Sequence, residues 1–456
     1  MSPTTPATWK TDALSLYQRL LPPEFFAQAR VRAGRRENRR VYPLPVVLWL
    51  MIWQRLQGHG SLESAVLELL RGLPASFWPR PCQRLRDWQQ NPEALSSATG
   101  AYNKARQALP VEVVEQSCDR IFDQLVAASQ GGWPPRRRPA FFFDGTTVRL
   151  PHSEALLRLY PPGSNQHGEA HWPLLRMLVA HELQTGLAMR PEWGPMHGPQ
   201  AVSEQQLLEG AIDRLPPGAV VVGDANFGVF SVAWAAQQRN HPVLLRLTAA
   251  RAQRLAGGPL RDGIDQPICW RPSREDRQSH PGLPPDACVE GRLLVRRVQP
   301  SNGADPFLLA LFATLLEEAP DELLQLYGQR WNIETDLRSL KSTLELDQLR
   351  CITPEMVAKE LEAAMVTYNL VRAVTGLAAQ QSGLPPRRYS FTRVRNVLSA
   401  FVPLIATAQD PKEAQKYYDR MMYYVSQAKL PQRRRQRPSY PREVWSKGAR
   451  FPNRKA

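Results

Sequence analysis

Hydrophobic positions in the first 128 residues recur at helical spacing. Leu14, Leu20, Leu21 and Phe25 follow one another loosely in that rhythm, and Pro45 to Leu70 carries a helical pattern broken by Gly58 and Gly60. The segment Ser129-Gln-Gly-Gly-Trp-Pro-Pro-Arg-Arg-Arg-Pro139 then interrupts regular structure, because its glycines and prolines oppose it. Beyond it the period changes. Ala140-Phe-Phe-Phe-Asp-Gly-Thr-Thr-Val-Arg-Leu150 is aromatic and β-branched, which predicts a strand. Leu174 to His181 and Gly186 to Arg190 read as two more strands, and Ser203 to Leu215 as an amphipathic helix. Ala219-Val-Val-Val-Gly-Asp224 is a continuous apolar run, the pattern of a strand buried on both faces. A helix over Phe230 to Arg239 and a strand over His241 to Leu247 complete an alternation that implies an α/β sheet.

Prolines and glycines punctuate residues 249 to 299, where Leu293 to Val298 is the one clear strand, so a β-rich insertion is expected there. Phe307 to Leu316 reads as a strand that resumes the core. One long helix is expected over Pro320 to Leu344, with further helices over Pro354 to Gln381 and Phe391 to Leu404.

Charge adds a partner to this outline. The chain of 456 residues has a formal charge of +16, which favours a polyanion, nucleic acid above all. Arg30, Arg32, Arg35, Arg36, Arg39 and Arg40 place six arginines within eleven residues, a solvated loop or a DNA contact, and the overall charge favours the contact. Residues 431–456 hold nine Lys or Arg against one Glu, with Tyr440, Trp445 and Phe451 interleaved, which suits an extended tail that touches nucleic acid. The five cysteines form no C-x-x-C pair, and they read as reduced thiols rather than a disulfide framework or a zinc site. The longest apolar run, Pro43 to Trp53, is far short of the ~20 residues of a membrane span, and no signal peptide is evident. The expectation is a soluble, cytoplasmic protein with no membrane partner.

Three carboxylates stand out by position. Asp144 and Asp224 each follow an apolar strand segment, and functional side chains gather at the carboxyl ends of strands in such sheets. Turn aspartates are common there too. On the expected long helix, Tyr327, Arg330, Glu334 and Lys341 fall within about 60° of one another at about 100° per residue. The adjacent face holds Leu326, Ile333, Leu337, Leu340 and Leu344. An Arg330–Glu334 surface pair is the plainer reading of that spacing. Clustered carboxylates repel one another unless a hard cation neutralises them, and two Mg²⁺ ions about 4 Å apart serve in-line phosphoryl transfer.

Tyr-x2-Arg-x3-Glu-x6-Lys, met here by Tyr327, Arg330, Glu334 and Lys341, resembles the signature of DDE transposases of the family named after insertion sequence four. Asp144-Gly-Thr-Thr resembles its first catalytic motif and Gly223-Asp224-Ala-Asn-Phe227 its second, while Leu349-Arg350 and Tyr368-Asn-Leu-Val-Arg372 resemble downstream sequence. The likeness spans roughly residues 140 to 380. It implies an α/β, ribonuclease-H-like catalytic core with a β-rich insertion; pattern and charge alone place an α-helical N-terminal domain and a helical C-terminal region with a basic tail on either side of it. It also implies that Asp144, Asp224 and Glu334 ligate two divalent metal ions, Mg²⁺ or Mn²⁺, and that Tyr327, Arg330 and Lys341 hold phosphates of the element end. Some relatives stack an aromatic on a flipped base; Phe307 and Trp270 are the candidates, and both also suit a core.

The expected organisation is a helical domain over 1–128 that contacts DNA through Arg35, Arg36, Arg39 and Arg40, and a linker over 129–139. The core occupies 140–248 and 306–380, with its insertion over 249–305. A helical region over 381–430 and the tail over 431–456 follow. The expected activity is transposition on double-stranded DNA by a dimer at paired ends; the rivals are a DNA-binding protein that no longer cuts and a nuclease on the same core. Removing residues 431–456 is expected to flatten the salt dependence of DNA affinity, by about one unit of slope for each phosphate that the tail neutralises. An unchanged slope in a filter-binding titration contradicts a role for the tail.

Overall fold

The apolar runs beyond residue 139 assemble into one eight-stranded sheet in the computed structural model. The structure describes residues 12–34, 41–58, 60–88, 90–129, 138–166, 168–300, 305–347 and 349–431. Arg35, Arg36, Arg39, Arg40, most of the expected linker and the basic tail lie outside the described residues. The strands are β1 (Ala140–Arg149), β2 (Leu174–Glu182), β3 (Glu192–Pro195), β4 (Val220–Gly223), β5 (Val243–Arg246), β6 (Asp265–Trp270), β7 (Val289–Val298) and β8 (Phe307–Ala313). Six helices bear on the site and its support: α1 (Leu44–Gln57), α2 (Val111–Ser129), α3 (Glu204–Ile212), α4 (Pro320–Gly328), α5 (Trp331–Arg338) and α6 (Pro354–Ser382).

The chain divides into two compact units. One is Met1–Pro135 with Gln184–Pro191 and Glu334–Leu430; the other is Arg136–Leu183 with Glu192–Ile333 and Pro431–Ala456. The boundary near the signature falls inside α5, between Ile333 and Glu334.

The second unit holds the sheet, in the order β3-β2-β1-β4-β5-β8-β7-β6. β1, β4 and β5 run parallel, and every other pairing is antiparallel. β4 is short, apolar and wholly buried, as a strand covered on both faces must be. Residues 249–305 differ from expectation. They form no separate body, because β6 and β7 continue the same sheet, with two short helices in the connecting segments. The reason is edge satisfaction: Leu293, Leu294 and Val295 of β7 pair with Phe312, Leu311 and Ala310 of β8, which leaves no open apolar edge there. The cysteine expectation is also corrected. Cys269 near the end of β6 and Cys288 just before β7 form a disulfide, and Cys82, Cys118 and Cys351 take part in none.

The first unit is helical and is built around α6. Thr353 caps this helix, Pro354 opens it, and Gly383 closes it in the left-handed conformation at φ 65°. From Leu361 to Arg372 every residue is buried, so α6 is the hub on which α1 and α2 pack. The extent of the family likeness put most of α6 with the catalytic core; its packing partners place it in the helical unit. Gly186 to Arg190, expected as a strand, is not one. Only an isolated bridge remains, at Ala188, and the Asn369 side chain on α6 accepts from the Ala188 N–H at 2.9 Å and donates to its carbonyl at 2.7 Å.

The single long helix expected over 320–344 is broken. After Gly328 the N–H groups of Gln329 and Arg330 bond to Leu326 and Tyr327, three residues back, and the chain restarts as α5 and ends in a π turn, Ser339–Thr343. The apolar positions read from the sequence hold: Leu326, Ile333, Leu337, Leu340 and Leu344 are all buried. Two residues after Glu334, Asp336 is fully buried between the guanidinium groups of Arg372 and Arg387. Arg372 also donates to the Tyr368 hydroxyl at 2.9 Å and lies over the rings of Tyr368 and Phe391 at 5.2 and 5.4 Å. Removing one partner of such a buried cluster leaves an uncompensated charge. Asp336→Ala is therefore expected to lower unfolding free energy by about 3–5 kcal/mol; a drop under about 1 kcal/mol in urea denaturation contradicts this role.

Candidate active site

The site grows out of one register. Phe142 of β1 lies opposite Val222 of β4, and Val222 lies opposite Leu244 of β5. Two positions further along each parallel strand come Asp144, Asp224 and Arg246, so these three residues end up in one row across the sheet. Side chains two apart on a strand share a face. Asp144 therefore points to the same side as Phe142, which is buried, but it lies where β4 has ended and only β2 still pairs with β1. The apolar residues fill the core and the carboxylate reaches the rim. Asp144 sits in the middle of β1 rather than at its end; it is β4 that stops.

Each aspartate is held locally. The Gly145 N–H donates to Asp144 Oδ1 at 2.9 Å. The Asn226 N–H donates to Asp224 Oδ1 at 2.9 Å, and the N–H groups of Phe227 and Gly228 close the turn on the Asp224 carbonyl at 3.1 and 3.0 Å. A side chain at position 228 would collide with the Arg246 carbonyl, so glycine lets this turn sit against the end of β5.

Electrostatics mark the pair as unusual. Burial, then the charge of Asp224, push the Asp144 carboxyl up to about 6; Glu204 adds to the rise, while the Gly145 N–H and Arg330 oppose it. Tyr327 is buried, which pushes its hydroxyl up to about 12, and Arg330, Arg246 and Asp224 all act on it. Asp144, Asp224, Tyr327 and Arg330 are thus brought within electrostatic reach of one another in one unit. Glu334 stands in the first turn of α5, half-buried, four residues after Arg330, and Lys341 is half-buried in the π turn. Among the described residues no three or more His, Cys, Asp or Glu side chains gather as a metal-binding group. The aspartate pair nonetheless offers hard oxygen donors whose mutual repulsion a divalent cation would relieve.

The two aromatic candidates separate. Trp270 is core, packed edge-on against Phe312 at 4.8 Å. Phe307 is 40% exposed, with the Arg246 guanidinium over its ring at 5.7 Å. Sequence reasoning missed Arg246 and Glu204. The signal for Arg246 was available, since it ends an apolar strand as the two aspartates do; its alignment with them needed the sheet register. No sequence signal pointed to Glu204, a solvated helix-start residue by spacing.

The Transposase DDE domain family matches residues 135–370. The chain is 24% identical over 446 residues to Transposase InsG for insertion sequence element IS4 of Escherichia coli (strain K12), across 95% of this chain and 92% of that protein. A solved piggyBac transposase synaptic complex with hairpin DNA aligns at a TM-score of 0.43 and 9% identity, over 91% of this chain and 85% of that one. With that match over more than half of its length, Asp144 and Asp224 included, the chain belongs to the DDE transposase domain family.

Proposed function

We propose that the protein is a metal-dependent DNA transposase of an insertion sequence, hydrolysing the phosphodiester at element ends and joining the ends to target DNA. The observation that carries this reading is the in-register Asp144–Asp224 pair within the family-matched span. In it, Asp144, Asp224 and Glu334 would hold two divalent cations, Mg²⁺ or Mn²⁺. When bound, these supply charge stabilisation for the attacking and leaving oxygens of an in-line displacement.

The remaining chemistry belongs to this chain's own side chains. Arg330 can grip two phosphate oxygens, Lys341 supplies a point charge, and the Tyr327 hydroxyl donates one hydrogen bond. Arg246, in the aspartate row, adds a second guanidinium. Phe307, exposed and capped by Arg246 on one side, is a stacking platform for an unpaired base. Water attacks the phosphodiester at the element end and releases a 3′-hydroxyl. That hydroxyl then attacks target DNA, and one phosphodiester is exchanged for another, so no nucleotide triphosphate is consumed. Arg35, Arg36, Arg39 and Arg40 contact double-stranded DNA, and the active form is a dimer at paired ends.

Asp144→Asn, Asp224→Asn and Glu334→Gln are each expected to abolish cleavage of a plasmid carrying element ends in Mg²⁺, by more than about a thousandfold, with end binding retained. Full cutting by any one sinks the metal assignment, and cut but never joined products favour a nuclease.

A carboxyl near 6 sets the acid limb. Asp144 must be ionised to bind a cation, so metal affinity should fall about tenfold per pH unit below 6. Folding responds in the opposite sense to a salt-bridged carboxylate. The metal-free folded state holds the Asp144 proton more tightly than the unfolded chain, so this residue's contribution to stability declines as pH rises from about 4 to 6. The parent minus Asp144→Asn difference in melting temperature should fall across that window; a rising difference contradicts the assignment.

A further inference from the structure

The Glu204 carboxylate opens α3, where Ser203 and Gln206 form a reciprocal capping box, so its backbone is fixed. Its Oε2 accepts from Asn226 Nδ2 at 2.6 Å. The other end of that amide is also engaged: Gln205 Nε2 donates to Asn226 Oδ1 at 2.9 Å and to the Asn226 carbonyl at 2.8 Å. Asn226 in turn donates its backbone N–H to Asp224. A continuous hydrogen-bonded chain therefore runs from the start of α3 to one aspartate.

The same carboxylate reaches the other aspartate through space. It occupies the volume that a side chain at position 145 would need, since a Cβ there would overlap its Oε1, Cδ and Cγ atoms. Gly145 has no left-handed backbone to explain it. The glycine after Asp144 is needed for the room it leaves to Glu204.

We infer that Glu204 is a positioning residue for the aspartate pair, fixing the Asp224 turn through Asn226, and that Gly145 is present to admit it. This rests on the proposed cleavage activity. The role is carried by hydrogen bonding: the carboxylate acts as an acceptor for Asn226 and contacts no substrate.

The test is a mutant cycle on the full-length protein. Glu204→Ala is expected to lower cleavage turnover about 10–100-fold, the usual range for a group supporting metal ligands, with the KM for DNA within about threefold. Binding of Mn²⁺ alone without DNA, followed by electron paramagnetic resonance of the free ion, should weaken by about tenfold or more. Glu204→Gln retains the acceptor and should stay within about threefold of the parent. Gly145→Ala displaces a flexible side chain, so it should reproduce the Glu204→Ala defect with a melting temperature within about 2 °C of the parent. In the Glu204→Ala background it should add nothing. Additive defects, a Glu204→Gln as defective as Glu204→Ala, or unchanged Mn²⁺ binding in Glu204→Ala each overturn the inference. Hydrogen exchange of the Asn226 amide separates this from the activity itself. Faster exchange in Glu204→Ala supports positioning even if the parent fails to cut, a failure that would defeat the transposase reading alone; unchanged exchange overturns positioning even if the parent cuts.

Discussion

Three parallel strands of unequal length control everything the site can do. β1 pairs with β4 only as far as Phe142, and β4 and β5 stop soon after. Because the strands are parallel, β4 and β5 end level with the middle of β1, and Asp144, Asp224 and Arg246 form a row there. A slip of one residue between β1 and β4 would turn the Asp144 carboxylate to the other face and put Phe143 in its place. The buried Phe141, Phe142 and Phe143 and the apolar residues of β4 make that slip costly.

The row is electrostatically unfinished. Two carboxylates share a partly buried rim, and Asp144 responds by holding its proton to about 6. Elsewhere the chain treats buried charge differently. Asp336 lies between two arginines, and Glu360 on α6 accepts from both Arg55 and Arg106. In those clusters cations surround the carboxylate. At the rim the like-charge pair persists, with Glu204 adding to it, which is the environment in which cation binding gains most.

Much of this was legible in the sequence. The strands bearing Asp144 and Asp224, the apolar face of Leu326, Ile333, Leu337, Leu340 and Leu344, and the Tyr-Arg-Glu-Lys spacing all follow from local pattern. The break at Gly328 was not, because the periodicity of buried leucines survives a tightened turn followed by a π turn that together change the winding. Arg246 and Glu204 depend on which strand ends come level and which loop meets which helix start, and local spacing carries neither. The Cys269–Cys288 disulfide joins residues whose proximity arises from the pairing of β6 with β7. The place of Gly186 to Arg190 was set by one distant amide, Asn369.

The aligned aspartates are proposed to hold a divalent cation. Anomalous diffraction from crystals soaked in Mn²⁺ tests it most directly. A peak bridged by the carboxylates of Asp144 and Asp224, absent from crystals of Asp224→Asn, is the predicted result. Crystals that bind Mn²⁺ elsewhere but leave the aspartate pair without a peak at neutral pH would contradict it.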